Sequence, residues 1–185
     1  MKSSACPFGP ALRRYRETQG LSQWDLAVAV NYHVRNLQRI EAGQHEPGIM
    51  LALGLLSVLE VDSGDVFFEL MSQIPSPLNV ESCDDCVPIA TPPALSIQGV
   101  NAVMKAVPVP FGTLLKHYRV QLGISQRALA NMANYNLRNM AKVEKGEQEP
   151  GVMMALRLVC GLGEQNVREF FNILVMYRKS LTVRS

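Results

Sequence analysis

Between Leu21 and Gly43 the apolar residues fall at Leu26, Ala27 and Val30, stop at Asn31, and resume at Val34, Leu37 and Ile40. Positions three and four apart share one face of a helix, so each group reads as a short amphipathic helix. Ser22 precedes the first group, where its hydroxyl can accept from the free N–H groups of a first helical turn. Asp25, three residues on, completes a Ser-x-x-Asp start signal. Asn31 marks the break, because Asn tolerates left-handed backbone better than any residue but glycine. Gly43 stands where a helix closes in the left-handed conformation. The pattern predicts two short helices across a tight turn.

The same pattern returns from Ile124 to Gly146, with Ser125, Leu129, Ala130, Asn134, Leu137, Met140 and Val143 in register. Residues 7–71 align without a gap to residues 110–174, offset by 103, with 27 identities in 65 positions. Self-similarity at a fixed period is the mark of a duplicated structural unit. Ala128 replaces Asp25 in the second copy, so the start signal is complete only in the first.

Each copy reads as about five helices. The first covers about Phe8 to Thr18, with Leu12 and Tyr15 on one face among Arg13, Arg14 and Arg16, and Gly20 ends it as Gly123 does in the second copy. The fourth follows Pro47-Gly48 and carries Met50, Leu53, Leu55, Leu56 and Leu59. It is apolar nearly all round, which places it at the centre of a core. The fifth contains Phe67, Phe68 and Leu70, matched by Phe170, Phe171 and Ile173, and in the second copy it is expected to run on to Lys179.

Residues 72–107 separate the copies. Pro75, Pro77, Pro88, Pro92 and Pro93 exclude a continuous helix there, and only Val100–Val107 has the character of a short one. As a flexible chain these residues span about 30–36 Å. The expected domains are therefore 1–71 and 108–185, joined by a Pro-rich linker.

Two short helices across a tight turn form a helix-turn-helix, whose second helix can enter a DNA major groove. The spacing of Gln23, Leu26, Ala27, Leu37, Ile40, Glu41 and Gly43 resembles the Cro/phage-repressor (XRE-type) helix-turn-helix family. Gln126, Leu129, Ala130, Met140, Val143, Glu144 and Gly146 carry the resemblance a second time, and Pro47 and Pro150 follow at the family's distance. The turn departs from the family in having Asn where glycine is usual. The resemblance covers about two-thirds of the chain. It implies an all-α protein of two tandem five-helix, lambda-repressor-like domains. The implied activity is sequence-specific binding of double-stranded DNA by a bacterial or phage transcription regulator, commonly a repressor. Recognition helices of a bound dimer sit about 34 Å apart, so the linker length permits both copies to dock on one face of a duplex as a covalent pseudo-dimer.

By position in the family, the residues that face base edges are Val34, Arg35, Asn36 and Arg39, and then Leu137, Arg138, Asn139 and Lys142. The chemistry agrees: Arg can bond guanine O6 and N7 together, Asn can bond adenine N6 and N7, and Val or Leu can meet a thymine methyl. Arg-Asn occurs in both copies, so related half-sites are expected. The differences Val34/Leu137, Gln38/Ala141 and Arg39/Lys142 argue against identical ones. The resemblance gives Gln23 and Gln126 a phosphate contact, which orients without reading sequence. His33 and Asn136 are expected to cap the third helix and to touch the DNA backbone. Arg16 with Glu41, and Arg119 with Glu144, are implied as structural ion pairs between first and third helices. Tyr32 and Tyr135 are expected to pack in the turn.

Composition narrows the remaining classes. The chain is 48% hydrophobic, which fits a globular protein. It has no run of 18 apolar residues and no apolar segment after Lys2, so neither a membrane span nor a signal peptide is expected, and a cytoplasmic protein is. Four scattered cysteines do not make a disulfide framework, and Cys83-Asp-Asp-Cys86 supplies only two of four ligands for zinc. Neither a metal nor a cofactor is expected. His33, His45 and His117 lie far apart, and no phosphate loop, nucleophile elbow or paired carboxylates occur, so an enzyme is not expected.

Charge separates the copies. Residues 8–71 carry five Arg/Lys against eight Asp/Glu, whereas residues 108–185 carry eleven against five. Phosphate neutralisation drives DNA affinity, so the second copy is expected to bind more strongly. An alternative follows, in which the acidic first copy binds a protein partner. Homodimerisation through Val100–Val107 or the long last helix also stays open.

Overall fold

The computed structural model describes residues 6–72 and 111–182, the last six as backbone only. Most of the linker, including Cys83, Cys86 and Val100–Val107, lies outside these residues. The described residues form ten α-helices and no strand. In the first half these are α1 (Phe8–Thr18), α2 (Gln23–Ala29), α3 (Val34–Glu41), α4 (Ile49–Val58) and α5 (Ser63–Met71). In the second they are α6 (Phe111–Gln121), α7 (Gln126–Met132), α8 (Leu137–Lys145), α9 (Val152–Cys160) and α10 (Val167–Thr182), with a 3₁₀ turn at Glu164–Asn166. The helix order of the first half thus recurs in the second, and α10 passes the expected end at Lys179.

Local chemistry accounts for the helix ends. Ser22 and Asp25 form the reciprocal capping box over α2. Asn31 and Asn134 take the left-handed conformation at φ 52° and 48°, which is how the turn is made without glycine. Leu26, Ala27, Leu37, Ile40, Leu53, Leu55 and Leu56 are fully buried, and so are Leu129, Met140, Val143 and Leu156. Burial of each large aliphatic side chain is worth about 1.5–3 kcal/mol.

One polar contact crosses the core of each half. Arg16 donates from Nε to Glu41 Oε1 at 2.7 Å, from Nη2 to Oε2 at 3.0 Å, and from Nη1 to the Leu21 carbonyl at 2.7 Å. Arg119 repeats this on Glu144 at 2.6 and 3.0 Å and on the Ile124 carbonyl at 2.8 Å. Both pairs are buried. The crossing of first on third helix is close: a Cβ on Gly9 would strike the Ile40 carbonyl, and one on Gly112 the Val143 carbonyl.

The halves are joined directly. Ile49 N–H donates to the Pro150 carbonyl and Val152 N–H to the Pro47 carbonyl, each at 3.1 Å. Met50 N–H donates to Glu149 Oε1 and Met153 N–H to Glu46 Oε1, each at 2.7 Å. Gly48 and Gly151 form an isolated antiparallel bridge between these contacts. The first N–H groups of a helix have no partner within it, and Gly48 and Gly151 offer α4 and α9 no side-chain cap. Each helix start is therefore capped by the opposite half. The halves are thus held by packing contact as well as by the linker.

Beyond this joint the symmetry lapses. Phe67 lies on Phe171 with centroids 4.2 Å apart, while Phe68, the residue aligned with Phe171, stays at the surface under the Arg168 guanidinium. Arg168 Nε meets Asp65, its own counterpart in the repeat, at 3.1 Å.

Replacing Glu41 with Ala leaves the Arg16 charge buried without its bidentate partner, with only Glu17 at 3.7 Å, and should cost about 3–5 kcal/mol in urea denaturation. Arg16→Met combined with Glu41→Leu should cost less than Glu41→Ala alone; the reverse order would show that the pair is not desolvated. Gly112→Ala should lower stability by about 1–3 kcal/mol through overpacking, although Ala favours a helix over Gly by about 1 kcal/mol. A raised denaturation midpoint would rule out the close crossing.

Candidate nucleic-acid interface

The start of α3 is built by its cap. His33 Nδ1 accepts the Arg35 N–H at 3.2 Å, and in the second half Asn136 Oδ1 accepts from Arg138 N–H at 2.9 Å and Asn139 N–H at 3.4 Å. Both expected capping roles are thus seen in the structure. Leu37 and Ile40 bury one face of α3, as Met140 and Val143 do for α8. The opposite face is left to solvent, and it carries Arg35, Asn36, Gln38 and Arg39 in the first half. In the second half Arg138 and Lys142 are exposed, while Asn139 is only half-exposed. Val34 is half-buried against the core, whereas its counterpart Leu137 is 39% exposed. Of the two, Leu137 is the more accessible from solvent. Tyr32 and Tyr135 pack against the core as expected, and burial raises the Tyr135 phenol pKa.

Gln23 and Gln126 open α2 and α7, but their side chains do not simply face outward. Gln23 Nε2 donates to Glu41 Oε2 at 2.8 Å and Gln126 Nε2 to Glu144 Oε2 at 2.6 Å. Each glutamate carboxylate therefore accepts from both the arginine and the glutamine. The orientation of each glutamine amide is fixed, because only its nitrogen can donate to a carboxylate. That bond uses one of the two N–H groups of each amide. In the first half the chain extends one step further, with Gln38 Nε2 donating to Gln23 Oε1 at 3.3 Å. Ala141 ends it in the second half. The sequence gives no direct sign of these glutamine contacts, since they depend on the angle between α2 and α3.

Electrostatics distinguish the two surfaces. The second half adds exposed Arg127 and Lys145 to Arg138 and Lys142. At the positions aligned with Arg127 and Lys145 the first half has Trp24 and Ala42. Trp24 is 63% exposed and Val28, one turn on, is 55% exposed. This apolar pair was not foreseen from the sequence. Its signal is a Trp-x-x-x-Val spacing off the buried Leu26–Ala27 face. Among the described residues no cluster of three or more His, Cys, Asp or Glu is placed to hold a metal ion. No helix among them is long and apolar enough to cross a membrane.

One family model matches within the first half. Residues 7–67 match the family described as a helix-turn-helix domain. The chain is 29% identical over 59 residues to an uncharacterized HTH-type transcriptional regulator of Methanothermobacter thermautotrophicus, a match covering 32% of this chain and 86% of that protein. No solved structure matches the chain significantly. Helices α1 to α5 thus carry a helix-turn-helix domain, with α2 and α3 as its two characteristic helices.

Proposed function

We propose that the chain is a sequence-specific double-stranded DNA-binding transcription regulator, a repressor by promoter occlusion. In this reading it acts in the cytoplasm without cofactor or catalysis, and α6–α10 form a second helix-turn-helix domain. The two domains act as an intramolecular pseudo-dimer, reading two related half-sites in adjacent major grooves. The observation that carries this is the repetition of one arrangement twice. In each half a capped helix presents Arg-Asn, at Arg35-Asn36 and Arg138-Asn139. Each rests on an Arg–Glu–Gln network of the same connectivity. A second domain that had kept only the fold would have no need of an exposed Arg138 followed by a half-exposed Asn139. The match of the first half to a helix-turn-helix domain, and the likeness of part of the chain to a transcriptional regulator, support the same conclusion.

Base reading falls to Arg35, Asn36 and Arg39 in one half and to Leu137, Arg138, Asn139 and Lys142 in the other, with Val34 a lesser contributor. Gln23 and Gln126 donate to phosphates that flank each site. The second half supplies more of the affinity, because Arg127, Arg138, Lys142 and Lys145 can each neutralise a phosphate or bond a base.

A second reading keeps DNA binding for α6–α10 and gives the first half a protein partner. The exposed Trp24 and Val28 favour it, since Trp is enriched where protein interfaces concentrate their energy.

The readings separate on one experiment. Sequences bound by the whole chain are selected from random duplexes, and the best is titrated with wild type, Arg35→Ala and Arg138→Ala at several salt concentrations. Two related half-sites about 10–11 base pairs apart, with each variant losing about 1–3 kcal/mol, is the expected result. A single half-site sensitive only to Arg138 would transfer the first half to partner binding.

A further inference from the structure

The Glu-Pro-Gly segment occurs in both halves, at Glu46-Pro47-Gly48 and Glu149-Pro150-Gly151, and the helix-turn-helix reading gives it no role. In the structure these segments cross. Four hydrogen bonds join them, two between main chains at 3.1 Å and two from main-chain N–H to glutamate at 2.7 Å. All four are reciprocal under the offset of the repeat: what Glu149 does for Met50, Glu46 does for Met153. The crossing leaves little room. A Cβ on Gly48 would meet the Glu149 carboxylate at 2.5 Å, and one on Gly151 would meet that of Glu46.

This joint is rigid for a physical reason. The bonds use the first N–H groups of α4 and α9, which point along the helix axes. The approach of one half therefore fixes the direction of a helix in the other, not only a distance. The glutamates also place negative charge at two helix N-termini, where it is favourable. Each of α4 and α9 in turn lies in the core beneath its own helix-turn-helix pair.

From this geometry we infer that Glu46 and Glu149 are positioning residues for DNA recognition. The crossing they close aims α4 and α9 and, beside the packing of α5 on α10, sets the separation and rotation of α3 and α8, and hence the one half-site spacing the protein accepts. The linker contributes only tethering. The inference rests on the reading of two half-sites given above.

The test measures affinity for a series of duplexes in which the two selected half-sites are moved apart one base pair at a time. Wild type should prefer one spacing by about tenfold over a spacing two base pairs away, since each base pair rotates the half-site by about a tenth of a turn. Inserting about twelve Gly/Ser residues between residues 73 and 110 should leave that optimum in place, although it lengthens the tether. Glu46→Ala combined with Glu149→Ala should flatten the profile to within about threefold, while binding to a duplex with one half-site stays within about threefold of wild type.

A DNA-free measurement accompanies the series. Amide hydrogen exchange at Met50 and Met153 should be protected in wild type and faster by at least about tenfold in the double variant. A spacing optimum that shifts or flattens on linker insertion overturns the inference, as does a sharp optimum in the double variant. Unprotected Met50 and Met153 amides in wild type overturn it as well. Wild type that selects no duplex at all overturns the DNA reading itself, whereas binding indifferent to spacing overturns only the role of the joint.

Discussion

The buried arginine–glutamate pair is the constraint on which each half depends. Desolvating two charges costs several kcal/mol per ion, and their attraction offsets this only with good geometry and no unmet hydrogen-bonding capacity. The geometry is good, and three of the five guanidinium N–H donors are placed on oxygen. Arg16 uses three N–H donors, two on the carboxylate of Glu41 and one on the Leu21 carbonyl at the entry to α2. Glu41 takes a further N–H from Gln23. One guanidinium thus joins three elements: α1, which carries it, the turn into α2, and the end of α3. An apolar pair of equal volume could fill the space, but it would not specify one angle among them. The glycine contact between α1 and α3 works in the same direction, since the helices can approach closely only in that register. What the pair fixes is the tilt of α3, and with it the direction in which Arg35 and Asn36 point.

Much of this was legible in the sequence, and the reasons differ by residue. The helices were readable because Leu26, Ala27, Leu37 and Ile40 repeat at helical spacing, and those four are fully buried. Asn31 and Asn134 gave the turn, because few residues other than glycine tolerate the left-handed conformation they adopt. The Arg16–Glu41 pair came from family resemblance and not from spacing, since a separation of 25 residues has no local signature. Gln23 was placed correctly at the start of α2, yet its bond to Glu41 depends on the angle between helices, which periodicity does not encode. The exposure of Trp24 was not legible for the same kind of reason: hydrophobicity predicts burial on average, and only packing shows which apolar residues are left outside.

The contact between halves was the least legible feature. Four hydrogen bonds between residues about a hundred positions apart leave no trace in a local window, and a Pro-rich linker invites a picture of independent domains. The clue was the identical Glu-Pro-Gly in both copies. A glutamate three residues before an uncapped helix start has no partner nearby, and its partner is the equivalent helix of the other half. An interface of this kind is self-complementary, as in two-fold dimers, where the same patch serves both sides. Here a single chain carries both patches, so the pairing is intramolecular and independent of protein concentration.

The departures from symmetry then acquire a meaning. Asp65 and Arg168 are equivalent by the repeat and face each other. Two identical halves meeting in this way would set Asp against Asp or Arg against Arg. Both side chains are largely exposed, so the ion pair itself adds little stability. Its effect is on choice of partner, because like charges at that point disfavour pairing of a half with its own kind. The aromatic contact has the same bias, with Phe171 turned inward onto Phe67 while the aligned Phe68 remains at the surface. The joint therefore favours unlike halves, and the surfaces that the halves present are unlike too. Arg127, Lys142 and Lys145 mark one, and Trp24, Arg39 and Ala42 mark the other. A homodimer of identical domains on a palindrome has no front or back. Two unlike halves give the joined pair a single direction, with the Trp24–Val28 pair at one end only.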